Sequence, residues 1–158
     1  MKKLFFSLIA TLLVSGYCYA AGTVSAGTYT KIGDGTRMRT MAWTFTADGS
    51  AAFANKTLST AELGYVEGFD LVGIDIVPGT TGPTDDCDLT IEKNSNDILG
   101  GSGADLVDNA VGGYVVPYGS SGDYPYAMSN QGLILDVDDD DENLVNSAEV
   151  TLTLFFVK

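Results

Sequence analysis

Apolar residues recur at every second position in four separate stretches of the chain, and a chain so patterned folds into half-buried strands. In TMAWTFT, Met41, Trp43 and Phe45 share a face against Thr40, Thr44 and Thr46. In CDLTIE, Cys87, Leu89 and Ile91 oppose Asp88, Thr90 and Glu92. Leu133, Leu135 and Val137 align in LILDVD, and Val150, Leu152, Leu154 and Phe156 align in VTLTLFFVK. Strands with one apolar face pair into sheets that cover a core on one side, usually antiparallel.

Turn residues separate these runs. Asp-Gly in GDGT (Gly33–Thr36) and ADGS (Ala47–Ser50) suits tight hairpins. Tyr29–Ile32, Arg37–Thr46 and Ala51–Asn55 therefore read as an antiparallel meander. NSND at Asn94–Asp97 and NQG at Asn130–Gly132 are further turns. Gly64–Val77 reads as one long strand or two joined at a bend, with Val72, Ile74 and Ile76 inward and Leu71 and Asp75 opposite. Pro78-Gly79 ends it, because proline cannot continue a central ladder. Helical signals are short: a turn after a Ser or Thr cap in STAELGYVEG (Ser59–Gly68), and one or two turns in GADLVDNAV (Gly103–Val111). The expectation is all-β: an antiparallel β-sandwich, jelly-roll-like, of about eight strands.

The 158 residues suit one such domain. Residues 1–20, MKKLFFSLIATLLVSGYCYA, have two lysines, an apolar run and a small-residue end. That is the layout of a secretory signal peptide, with an N-terminal hydrophobic anchor as the alternative. The sandwich would then occupy residues 21–158. Losing Lys2 and Lys3 takes the formal net charge from -13 to -15. So acidic a chain disfavours nucleic acid and anionic membrane surfaces as partners. There is no histidine, which removes the commonest general base and transition-metal ligand. Cleavage would leave Cys87 as the single cysteine, a buried structural thiol by its alternation with Leu89 and Ile91.

Three stretches are candidate sites. The acidic run DVDDDDEN places carboxylates at alternate positions, as calcium requires, with Asp138, Asp140, Glu142 and Glu149 as candidate ligands. Asn143 stands where a calcium loop wants glycine, and a solvated loop guarding a strand edge is the competing reading. Asp85, Asp86 and Asp88 form a second cluster, which a hydrolase could use and an interstrand loop would equally contain. YVVPYGSSGDYPY offers Tyr114, Tyr118, Tyr124 and Tyr126 as a partner or glycan interface, unless the rings fold back on the core. GGSGAD is not followed by the lysine of a phosphate-binding loop. No catalytic constellation and no cofactor motif is visible, so the expectation is not an enzyme.

Between Val72 and Leu106 the chain reads IVPG, then PTDDCDLTI, then DILGGSGADL. This order resembles a pattern in small structural proteins of tailed-phage virions. The opening hairpins and the terminal VTLTLFFVK are similar to those proteins too, although the motifs cover only about 35 residues. The resemblance implies a jelly-roll-like sandwich serving as a capsid decoration, fibre or adaptor component. It implies self-association or contact with other virion proteins, without enzymatic activity. An export leader is not part of that pattern. The alternative is an exported cell-surface or glycan-binding module.

Overall fold

The computed structural model describes residues 22–49, 53–83, 87–107, 110–118, 126–128, 132–139 and 147–158. The strands are β1 (Thr23–Val24), β2 (Thr28–Ile32), β3 (Met38–Thr46), β4 (Lys56–Thr57), β5 (Asp70–Pro78), β6 (Cys87–Lys93), β7 (Asn96–Asp97), β8 (Gly113–Val115), β9 (Tyr126–Ala127), β10 (Leu133–Asp139) and β11 (Glu149–Val157). One helix, α1 (Thr60–Val66), lies between β4 and β5.

The strands form two antiparallel sheets. The larger has the order β1-β3-β11-β5-β8, with β2 also on β3 and β9 also on β5; the smaller is β4-β10-β6-β7. Setting aside β1 and the side-paired β2 and β9, eight strands pair first with last: β3 with β11, β4 with β10, β5 with β8 and β6 with β7. That is one long hairpin rolled up, the topology of a jelly roll. The alternation in the sequence is the reason it closes. Met41, Trp43, Phe45, Leu152, Leu154 and Phe156 from one sheet meet Leu89, Ile91, Leu133, Leu135 and Val137 from the other in one core. Burying each of the larger side chains stabilises the fold by roughly 2 kcal/mol.

The expected meander forms only in its first half. β2 and β3 pair from Thr28 opposite Ala42 to Ile32 opposite Met38. The chain then crosses to the other sheet, where β4 pairs β10. β11 takes the other side of β3 along its whole length and buries an apolar row there.

Gly64–Val77 is also different from expectation. Its first residues complete α1, and the strand begins at Asp70. Leu71 is fully buried and Val72 only half-buried, the reverse of simple alternation. The cause is a bulge: Phe155 pairs with Gly73 and Phe156 with Leu71, so Val72 is the extra residue and side-chain parity changes. Pro78 closes β5 as expected, and the Gly79 N–H still donates to the Glu149 carbonyl at 2.6 Å.

Of the expected turn at Asn94–Asp97, Asn94 and Ser95 join β6 to β7, both at positive φ, and Asn96–Asp97 is β7 itself. Gly103–Val111 is not helical where described. Asp105 has φ 50°, outside helical space, and Val107 exchanges backbone hydrogen bonds with Cys87 instead. Cys87 is buried, in line with a structural thiol. Among the described residues no helix is long and apolar enough to cross a membrane. The leader at residues 1–20 and the turn residues Asn130 and Gln131 lie outside them.

Candidate functional site: a polar cluster at one mouth of the sandwich

Glu62 is the one charged side chain in the buried set among the described residues, 6% exposed. Its position follows from local sequence. Ser59 caps α1, accepting from the Glu62 N–H, while Glu62 Oε2 accepts from the Ser59 N–H at 2.6 Å. This reciprocal pair is the capping box that a Ser-x-x-Glu spacing encodes. It turns the carboxylate into the space between the edges of the two sheets.

Three further groups converge there. Lys56 of β4 donates to Glu62 at 2.9 Å, the Tyr29 hydroxyl of β2 at 2.9 Å, and Trp43 Nε1 of β3 at 3.2 Å. Four elements from both sheets and the helix thus share one carboxylate. Burial pushes the Glu62 carboxyl pKa up. The hydrogen bonds from the Ser59 backbone, Lys56, the Ser59 side chain and Tyr29 outweigh that and hold it at about 2, below the usual 4.5. The Tyr29 hydroxyl moves up, through burial and then its bond to the charged Glu62. A carboxylate held at about 2 stays ionised near neutrality and is a poor proton acceptor there.

Around this cluster lies a cavity of about 430 Å³, lined by Ser25, Gly27, Tyr29, Lys56, Glu62 and Tyr65 among others. The rings of Tyr29 and Tyr65 stand 5.5 Å apart, tilted by 54°. Behind them Arg39 stacks on Tyr65 and on Phe69, and its guanidinium donates to the Tyr65 carbonyl.

Of the interface residues expected from sequence, Tyr114 and Tyr126 lie on β8 and β9 at the opposite edge of the large sheet, and Tyr118 follows β8. Tyr114 and Tyr118 are each 60% exposed. Tyr114 leans on the sheet, its ring 6.5 Å from that of Phe155 and its hydroxyl over Gly73, where an added Cβ would sit 2.0 Å away. Tyr126 lies on β9 opposite Leu71. Tyr124 lies outside the described residues.

Of the candidate calcium ligands, Asp138 is in β10 opposite Asp88, and Glu149 opens β11 opposite Thr46 in the other sheet. Asp140 and Glu142 lie outside the described residues, as do Asp85 and Asp86. The described residues contain no group of three or more acidic or sulfur ligands placed to hold a metal ion. Asp88 is engaged locally: its Oδ1 accepts from the Asp105 N–H at 2.8 Å.

The Glu62 cluster was not singled out by sequence reading. Ser59 and Glu62 carry a capping signature, but Tyr29, Trp43 and Lys56 are brought to them only by the sheet order.

No protein-family model and no curated protein sequence matches this chain. Among solved structures, the capsid asymmetric unit of cyanophage Pam1 is similar over 87% of this chain and 86% of its own, at 12% identity and a TM-score of 0.34.

Proposed function

We propose that the chain is a non-enzymatic structural protein of a phage-type particle, acting through surface contacts as a decoration, fibre or adaptor component. The observation that carries this reading is how the motif residues of Val72–Leu106 are used. Asp97 accepts from the N–H groups of Leu99 and Gly101, at 2.9 and 2.8 Å, and Asp88 accepts from Asp105. The Gly103 carbonyl accepts from the Leu89 N–H at 2.8 Å. Among the described residues of this segment, Asp97 and β6 therefore fix the loop of residues 99–105 in place. On this reading function lies at the surface. Tyr114, Tyr118 and Val111 are exposed large side chains near the β8 edge, of the kind that anchors protein contacts. Jelly rolls recur in capsid and lectin domains, which is fold-level support only.

The test is assembly. The chain should co-purify with particles, and the double substitution Tyr114→Ser, Tyr118→Ser should abolish incorporation while leaving the melting temperature within a few degrees. A chain absent from purified particles, or a double variant incorporated like the wild type, refutes the reading. The leader is read as an export signal, and N-terminal sequencing of the mature product beginning near Ala21 would support it.

A further inference from the structure

We propose that the cavity at the Glu62 mouth binds a small, uncharged polyhydroxy ligand of hexose size, stacked against Tyr29 and Tyr65. The inference does not rest on the particle reading. At about 430 Å³ the cavity is within the range of small-molecule sites.

Its chemistry narrows the ligand class. Lys56 and Glu62 cancel each other at 2.9 Å, so the walls carry no net charge to attract an ion. Both Glu62 oxygens are already engaged by Tyr29, Trp43, Lys56 and Ser59, which leaves little for a cation. A chain with formal net charge -13 repels anions at long range. A neutral ligand remains.

Two aromatic rings offer apolar faces to the C–H side of a sugar ring. Tyr29 is 45% exposed, yet its hydroxyl is fixed by Glu62, so little side-chain entropy is lost on stacking. Tyr65 completes the aromatic wall. Its hydroxyl is the one buried side-chain polar atom without a hydrogen-bond partner among the described residues, and Tyr65 lines the cavity. That atom is shielded from solvent, so Tyr65 meets the cavity through its other atoms. The Ser59 hydroxyl and the partly exposed Lys56 ammonium supply further polar contacts.

The experiment titrates the full chain with methyl glucoside, methyl galactoside and N-acetylglucosamine. The readouts are fluorescence of Trp43, the chain's one tryptophan, and ligand-observed saturation-transfer NMR. At least one sugar should give a saturable response with a midpoint of about 1 mM or somewhat above. Ala61 is exposed and lines the cavity, so Ala61→Phe should block the mouth and weaken binding more than about tenfold with the melting temperature kept. Tyr65→Phe keeps the ring and should leave binding within about twofold and stability unchanged or raised, because the hydroxyl it removes is shielded and has no partner. Absence of a saturable response to all three sugars overturns the proposal. So does binding that survives Ala61→Phe undiminished.

Discussion

Glu62 is a carboxylate whose stability contribution depends on pH in a definite direction. Its folded-state pKa of about 2 lies below the ordinary 4.5, so the folded state favours the ionised form. That contribution is fully present above about pH 4.5 and is lost as pH falls towards 2; the shift corresponds to about 3 kcal/mol. Glu62→Gln should therefore lower unfolding stability by about 2 to 3 kcal/mol at pH 7, since it also leaves Lys56 partly buried without its partner. Urea denaturation of both proteins from pH 7 to pH 2.5 checks this. The difference between them should shrink steadily below pH 4.5. A difference that stays constant over that range would show that Glu62 acts by packing and not by charge. The pairwise comparison matters because protonation elsewhere in so acidic a chain relieves self-repulsion in both proteins equally.

At the scale of elements, the glycines of GGSGAD are explained by contact and not by ligand chemistry. Gly100 and Gly101 adopt positive φ, and Gly103 passes so close to β6 that an added Cβ would lie 1.9 Å from the Leu89 carbonyl oxygen. That oxygen belongs to backbone and cannot swing aside. Gly103→Ala should cost more than about 2 kcal/mol, whereas Gly132→Ala, where nothing lies within 4 Å of the added Cβ, should change stability by less than about 0.5 kcal/mol. Thermal unfolding of the two variants separates these outcomes. The same region marks what sequence can and cannot carry. Cys87, Leu89 and Ile91 declare their face by alternation alone, and they are buried accordingly. Leu71 and Val72 could not be placed that way, because a bulge is a property of the pairing with β11 and leaves no mark on β5 itself. Nor was the polar cluster legible. The capping pair of Ser59 and Glu62 is three residues apart, but Tyr29 is 33 residues from Glu62 and Trp43 is 19. Local spacing encodes the cap; only the strand order encodes the convergence.

At the scale of the molecule, rolling up the hairpin places the last strand in the middle of the larger sheet. β11 lies between β3 and β5, and its inward residues Val150, Leu152, Leu154 and Phe156 are fully buried. Every neighbour it has is far away in sequence, so the larger sheet closes only by non-local pairing, the slow kind. Its two faces separate packing from mere strand membership. Leu154→Ala removes a fully buried side chain from the core and should cost about 3 kcal/mol. Thr153→Ala, on the half-buried outer face beside Asp75, should cost less than about 1 kcal/mol. Removing β11 altogether would strip one neighbour from both β3 and β5 and uncover Trp43. A chain ending before Glu149 should then show no cooperative unfolding transition and no near-ultraviolet circular dichroism from Trp43. A cooperative transition in that shortened chain would mean that the smaller sheet and α1 suffice to hold the core, contrary to the sheet order.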